Sequence, residues 1–415
     1  PTLDRLAEEG VGFERAFCTT PQCSPSRSSI LTGHYPSTTG VMGNIGAYGG
    51  ASLTMPTLAP ALQRLGYRTG YFGKWHLGHD PSGMAGWDAS LGVRESFRPP
   101  DEVTTRRALA FIDAYGAEDA PFALFLSYND PHDVYDFDPD VFARPDDVTL
   151  SLSWERQAFE QVPPVQAQFM TEDQGTRLYG RDREVWEAYH AFYRDKVRLY
   201  DAHVGQVLDA LTNAGLMERT VIVVTSDHGD MDAHHRLIFK GPFMYDEMIR
   251  VPLIVRVPET LGGRCGRWVN DRDVVNTDLV PTMMELAGGD PPICDGISLA
   301  PLLTGEGPVP RRDYVVVQYH GKQRWVNPIR TIRTASFKYN CYLHHGEELY
   351  DLRNDPHELV NLAQDPGYQR VKRALRSELE AWMRTHHDPF ESLTVTDRQG
   401  RPLVVGSREE ERLDG

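Results

Sequence analysis

The stretch TVIVVTSDHGD, residues 220–230, is an apolar, β-branched run that breaks abruptly into acids, a histidine and a glycine. An unalternating run of that length reads as a strand buried on both faces, as in a sheet covered by helices on either side. The flanks agree. Residues 184–214 carry a helical stripe of Trp186, Tyr189, Tyr193, Val197, Tyr200, Val204, Val207 and Leu211, stopped by Gly215. Downstream, VPLIVRVP (251–258) is the next strand and TDLVPTMMELAGG (277–289) the next helix. Upstream, TMPTLAPALQRLG (54–66) has helix spacing, and YRTGYFGKWHLG (67–78) is a strand running into a loop. Residues 104–115 form a helix, and PFALFLSYNDPH (121–132) a buried strand ending in a polar turn.

This alternation predicts an α/β fold with a large, mainly parallel sheet flanked by helices. After Pro310 the pattern changes to short strands (YVVVQY, RTIRTASFKYNCYL, EELYDL) and one helix near 370–385. The expected division is therefore a catalytic domain over 1–310 and a smaller C-terminal α+β domain with a short antiparallel sheet over 311–415. Residues 133–183 are polar, proline-containing and weakly periodic, and read as an insertion or lid. The tail from Arg398 is expected to be loose.

Composition narrows the function. The chain has 415 residues, 40% of them hydrophobic, and a net charge of -16. That acidity argues against a general nucleic-acid binder, which needs a basic face, but allows a local positive pocket for a small anion. No run of 18 apolar residues exists, so no membrane span is expected, and no export signal is visible in the sequence. Five scattered cysteines make no disulfide framework, although Cys18 and Cys23 could pair; Cys265, Cys294 and Cys341 read as buried or lightly exposed thiols. Lysines are scarce, so each is informative.

In α/β sheets sites form where strands end at their carboxyl side. Four polar clusters qualify as chemistry: CSPSRSSILTG with Cys23 and Arg27, GKWHLG with Lys74 and His76, NDPH with His132, and SDHGDMDAHHRLIFKGP with Asp227, His228, His235 and Lys240. Lys74 and His76 are two apart and should face one side of an extended segment. Together the clusters supply cations for an anion, imidazoles for proton transfer, and carboxylate plus imidazole for a metal. That inventory suits hydrolysis of a sulfate or phosphate ester. Each piece alone has a plainer reading: a packed thiol, a surface lysine, a capping aspartate. No HExxH, CxxC or P-loop is present.

The order of these blocks resembles the type I sulfatases of the alkaline phosphatase superfamily. The matching residues are CSPSR at 23–27 with LTG at 31–33, GKWHLG at 73–78, SDHGDM at 226–231, GPFMYDEMIRVPLIV from Gly241, and ELYDLRNDPHELVNLA near the end. The resemblance implies that Cys23 is oxidised to Cα-formylglycine by a maturation enzyme that reads an extended segment, which accounts for its small polar neighbours. It further implies a hydrated aldehyde that attacks sulfur, with Ca²⁺ (or Mg²⁺) bound by the position-23 side chain, Asp227 and His228. Arg27 and Lys74 would hold the diol. His132 and Lys240 would contact the sulfate and protonate the leaving oxygen, and His76 would take the proton that releases sulfate. His235 is a further substrate contact. The implied substrate is a small-molecule or sugar sulfate ester, with aryl sulfate, choline sulfate and sulfated sugars all open.

Two features depart from the family pattern. His34 stands where relatives have Arg or Lys after LTG. Relatives also begin with a strand ending in two adjacent metal-binding aspartates; this chain opens on PTLDRLAEEGVGF, a helix already inside a domain, so Asp4 is not their equivalent. Two rival readings follow: a phosphonate or phosphodiester hydrolase of the same superfamily, and a truncated, non-catalytic homologue.

Overall fold

The computed structural model describes residues 1–91, 99–143 and 148–403. Helix α1 (Thr2–Glu9) leads into strand β1 (Val11–Phe17), the hub of a five-stranded mixed sheet. Beside β1 lies β6 (Arg250–Arg256), antiparallel to it, and beyond that β5 (Ile222–Thr225). On its other side β1 pairs in parallel with β7 (Arg267–Val269) and β8 (Val274–Val275). A second sheet is wholly parallel: β2 (Arg68–Gly73) lies between β3 (Ala89–Ser90) and β4 (Phe122–Ser127).

The expected elements form, with differences that have physical causes. The stretch VPLIVRVP is a strand, but it runs against its neighbours, so the sheet is mixed. The predicted helix at 104–115 begins earlier, as α3 (Asp101–Tyr115), and the long helix is α4 (Arg183–Asn213). Every residue of β4 is only half-buried, although the apolar run reads as a fully buried strand. The reason is that β4 is an edge: β2 covers one side and no other described strand pairs with it.

Helix α2 (Cys23–Thr32) is the main departure. A serine- and proline-rich stretch suggests an exposed loop, yet eight of its ten residues are buried. The hydroxyls make this possible by folding back on the helix: Ser28 donates to the Pro25 carbonyl at 2.6 Å and Thr32 to the Ser28 carbonyl at 2.7 Å. Pro25 sits in the first turn, where its missing N–H costs nothing. Gly33, at φ 76, closes the helix by donating to the Ser29 carbonyl at 2.8 Å.

The C-terminal part is a four-stranded antiparallel sheet of β9 (Tyr314–Lys322), β10 (Trp325–Thr334), β11 (Phe337–Tyr342) and β12 (Gly346–Asp351), with helix α5 (Gln369–Thr385) against it. One face packs on α5 through Val316, Ile332, Tyr339, Leu379 and Trp382. The other merges with the main core through Val315, Val317, Tyr319, Ile329 and Tyr350, so the two parts share a continuous interior. Within 133–183 the described residues form short helices such as Leu152–Arg156 and Pro164–Glu172. Arg398 donates to Asp173 at 3.3 Å and Thr396 bridges Pro402, which docks the tail as far as 403. The rest of the expected loose tail lies outside the described residues. All five cysteines are free thiols, and Cys265 is exposed. No described helix is long and apolar enough to cross a membrane.

Candidate active site

Four segments meet at the sulfur of Cys23. The first is α2, which places Cys23 in its opening turn, where the free N–H groups and the helix dipole favour a negative charge. The start of this helix is pinned from outside. Ser24 N–H donates to Asn44 Oδ1 at 2.9 Å, and the Ser26 hydroxyl donates to the Asp227 carbonyl while accepting from Asn276 Nδ2 at 2.9 Å.

The second segment is the end of β2. Gly73 has φ 100, and a Cβ there would lie 2.0 Å from the Ser127 carbonyl oxygen, so only glycine lets the chain leave beside β4. Lys74 N–H then donates to the same carbonyl at 2.9 Å, and its side chain points to Cys23, with Nζ 3.6 Å from Sγ. His76 adopts φ 56, so the strand-like alternation expected of GKWHLG ends before it. His76 shares the loop with Lys74 but not an extended register.

The third segment follows β4. Asp101, in the first turn of α3, accepts from Asn129 N–H at 2.7 Å and Asp130 N–H at 2.9 Å and so fixes the turn that carries His132. The His132 side chain interacts with the Cys23 sulfur. Burial first, then the Lys240 charge, pushes its imidazole down to about 4, so it is neutral near pH 7.

The fourth segment follows β5. His228 Nδ1 lies 2.8 Å from the Gly229 carbonyl, which can only accept, so Nδ1 carries the proton and Nε2 offers a lone pair. That Nε2 is 3.3 Å from Cys23 Sγ and 3.1 Å from Lys240 Nζ. Lys240 Nζ is itself 3.1 Å from Cys23 Sγ. Asp227 pairs with Arg27 Nε at 3.1 Å. Arg27 is held in turn by the Lys74 carbonyl at 2.8 Å, Ser127 Oγ at 2.7 Å and Tyr71 Oη at 3.2 Å.

The electrostatics follow from this crowding. Burial alone would raise the Cys23 thiol, but the Lys240 and Lys74 ammonium groups outweigh it and hold the pKa well below the ordinary value. Burial also works against the Asp227 carboxylate, yet His228 and Arg27 keep it below the usual range. Burial pulls Lys74 down. Lys240 goes up, because Cys23, Tyr135 and Asp227 overcome its desolvation.

Seven of the sequence candidates are thus brought together: Cys23, Arg27, Lys74, His132, Asp227, His228 and Lys240. His235 is not among them. It is fully buried, with Nδ1 2.7 Å from Gln157 Oε1 and its ring stacked 3.7 Å from Tyr245. Neither contact joins it to the Cys23 cluster, so the structure does not bring this expected substrate contact together with the other candidates. His34 lies 3.3 Å from Asp295, beyond the far end of α2. Sequence reasoning missed Asn44, Ser127 and Asn276, which carry no charge and no motif. It also missed Lys322, whose Nζ donates to the Lys240 carbonyl at 2.6 Å.

Cys23, Asp227 and His228 offer three donor atoms within 4.8 Å of one another. Carboxylate and neutral imidazole suit a divalent cation, and a hard one such as Ca²⁺ needs further oxygens beyond these.

The family model for sulfatases matches residues 1–289, and that for the C-terminal part of N-sulphoglucosamine sulphohydrolase matches 234–385. The chain is 30% identical to a Δ4,5-hexuronate-2-O-sulfatase of Bacteroides thetaiotaomicron over 95% of its own length and 85% of the relative's. It is 28% identical to the choline-sulfatase of Rhizobium meliloti, over 98% and 85% respectively. Among solved structures, a 2-O GAG sulfatase superposes with a TM-score of 0.85 at 28% identity, covering 96% of this chain and 90% of that one. A phosphonate monoester hydrolase of Agrobacterium radiobacter superposes with a TM-score of 0.76 at 26% identity, covering 97% and 94%.

Proposed function

The chain belongs to the sulfatase family of the alkaline phosphatase superfamily, and from that membership we propose that it hydrolyses the sulfate monoester of a sulfated sugar, with Cys23 converted to formylglycine as the nucleophile. The observation that carries the reading is the convergence of Lys74, Lys240, His132 and His228 on one buried sulfur. In the mature enzyme the position of that sulfur would be taken by the oxygens of the hydrated aldehyde, which supply an attacking hydroxyl. The surroundings fit the exchange, since two ammonium groups already point at the sulfur and can donate equally to oxygen. Position 23, Asp227 and His228 would hold a divalent cation, whose charge lowers the pKa of a hydroxyl beside it.

The remaining roles belong to side chains in place. Asp227, ionised and oriented by Arg27, accepts the proton of the attacking hydroxyl. Lys74 and Lys240 bind the sulfate oxygens, where charge accumulates in the transition state. Lys240 carries the proton toward the leaving oxygen, and His132, neutral in the resting site, donates a hydrogen bond there. His76, on the Lys74 loop, takes up the proton lost when sulfate departs. A sugar is favoured as substrate by the relative that acts on hexuronate sulfate.

A phosphonate monoesterase reading is supported by the neighbour from Agrobacterium radiobacter. The test is to co-express the chain with a formylglycine-generating enzyme and verify the aldehyde at position 23 by mass spectrometry. Turnover of sulfate monoesters is then compared with that of phosphonate monoesters. Sulfate turnover at least tenfold the faster is expected; the reverse order refutes the sulfatase reading.

A further inference from the structure

Beside the Cys23 cluster lies a cleft of about 330 Å³ lined by Tyr135, Gln174, Thr176, Arg177 and Phe239. One of its walls, Tyr135, is shared with the reacting groups. The His132 ring stacks 4.9 Å from Tyr135, which stacks 3.9 Å from Phe239, and Lys240 Nζ lies 5.9 Å from the Tyr135 ring centre. Its polar wall comes from the 133–183 region. Gln174 accepts from the buried Lys322, which also holds the Lys240 carbonyl, so this wall is tied to the catalytic lysine.

Arg177 is the charged group of the cleft. One of its guanidinium nitrogens donates to the backbone carbonyls of Tyr135 and Phe137, and its plane lies 5.8 Å from the Phe239 ring. Among the described residues it pairs with no carboxylate, unlike Arg15, Arg312 and Arg333. Backbone carbonyls fix the direction of a guanidinium without neutralising it. The remaining N–H groups therefore present a preorganised, unneutralised fork at the mouth of an aromatic cleft.

Resting on the sulfatase reading of the neighbouring cluster, we propose that this cleft seats the sugar ring that bears the scissile sulfate, and that Arg177 selects sugars carrying a second anionic group. That group is a planar carboxylate, as in a uronic acid, or a second sulfate; both present paired anionic oxygens to the fork. The aromatic pair supplies the apolar surface on which a sugar ring packs, and Arg177 supplies a charge-assisted contact remote from the bond that breaks. Such a contact is made equally in the ground and transition states, so it acts mainly on KM.

The test compares three sulfate esters with the sulfate at one ring position: a neutral hexose sulfate, the corresponding uronic acid sulfate, and a disulfated hexose. Wild-type enzyme should favour at least one anionic sugar over the neutral one by about 10–100-fold in kcat/KM, the scale of one charged hydrogen bond. The larger of the two ratios identifies carboxylate or sulfate as the group read. In Arg177→Gln the preference should collapse through KM, and Arg177→Lys, which keeps charge but loses the fork, should retain only part of it. Preference for the neutral sugar, or an unchanged ratio in both variants, overturns the assignment. Calorimetric binding of the same three sugars to Cys23→Ala, with and without Arg177→Gln, gives a readout that needs no turnover. If aldehyde-bearing enzyme cleaves none of the esters while Arg177-dependent binding persists, the sulfatase reading falls and the anionic-sugar cleft stands. Binding that is indifferent to Arg177 defeats the cleft alone.

Discussion

Two buried charge clusters in this molecule use similar residues to opposite ends. Where the C-terminal sheet meets the main body, Arg15, Arg333 and Lys338 face Asp246, Asp273 and Glu358. Lys338 Nζ lies 2.9 Å from Asp246, Arg333 Nη2 lies 2.8 Å from it, and Arg15 grips Asp273 with two bonds of 2.8 Å. Cation and carboxylate are matched, three against three. Around Cys23, Arg27, Lys74 and Lys240 have one carboxylate, Asp227, and a sulfur between them. In the first cluster every cation has a carboxylate partner, the mark of a structural network. The second has more cations than carboxylates in a low-dielectric interior, which would suit it to receive an anion, as the proposed function requires. Pairing, rather than burial or residue type, separates a site from a staple.

The comparison is most severely tested at its centre. Removing the sulfur position by Cys23→Ala should abolish turnover of an aryl sulfate, a loss on the order of 10⁶ if position 23 is the nucleophile. Circular dichroism and thermal unfolding should stay near wild type, because the change deletes one atom and leaves α2 with its hydroxyl bonds intact. Turnover that survives at a tenth or more of wild type would remove the nucleophile from Cys23.

Next come the lysines. Lys74→Met and Lys240→Met should each lower turnover by roughly 10²–10³, the scale of one preorganised electrostatic group. Neither should destabilise the fold as much as the matching change in the paired cluster, since each removes a charge that lacks its own carboxylate. Lys338→Met is that matching change. It leaves Asp246 and Glu358 buried without their common partner, Lys338 and Glu358 both being almost wholly enclosed. The expected cost is about 3–5 kcal/mol of stability, read by denaturant titration, with turnover per folded molecule within twofold of wild type. If Lys240→Met unfolds the protein more readily than Lys338→Met, the distinction between the clusters fails.

How much of this was legible in the sequence follows from which groups announce themselves. The alternation around residues 220–230 set the layers, and the strand ends carrying Lys74, His132 and Asp227 could be read because polar residues interrupt apolar runs. Helix α2 could not be read that way. Its hydroxyl residues look solvent-exposed until Ser28 and Thr32 are seen donating to the carbonyls of Pro25 and Ser28, which removes the cost of burying them. His235 shows the limit of reading proximity from sequence. It lies close in sequence to Asp227 and Lys240, but the backbone takes left-handed conformations at Asp232, Ala233, His235 and Arg236, and the ring is buried against Tyr245. Arg177 and Lys322 arrive from segments with no motif, and only the tertiary fold brings them near Lys240. The paired cluster was only partly legible: Asp246 and Glu358 lie in the blocks GPFMYDEMIRVPLIV and ELYDLRNDPHELVNLA, but Arg15, Arg333 and Lys338 sit in strand patterns that any surface residue could occupy.

The smallest expected effect concerns His320, which lies in the C-terminal sheet and belongs to neither cluster. Burial first, then the nearby Arg330 guanidinium, lowers its pKa from 6.5 to about 4. Both ring nitrogens lack a hydrogen-bond partner among the described residues, so protonation gains nothing there to offset the buried charge. Arg330 is already committed to Asp388, and no carboxylate is left over to receive an imidazolium. Between the two pKa values the unfolded chain binds more protons than the folded one. Stability should therefore be fully present above about pH 6.5 and decline as the pH falls toward 4. The contribution of this one group is at most about 3 kcal/mol. His320→Asn should lower stability most above pH 6.5 and by progressively less as the pH falls, which flattens the slope between pH 4.5 and 6.5, checked by urea titration across that range. Some slope will remain, because His132 is depressed in the same direction. An unchanged slope in the variant would mean that His320 is hydrated or paired in solution, and that in the C-terminal sheet a buried cation can be accommodated without the carboxylate that the paired cluster supplies.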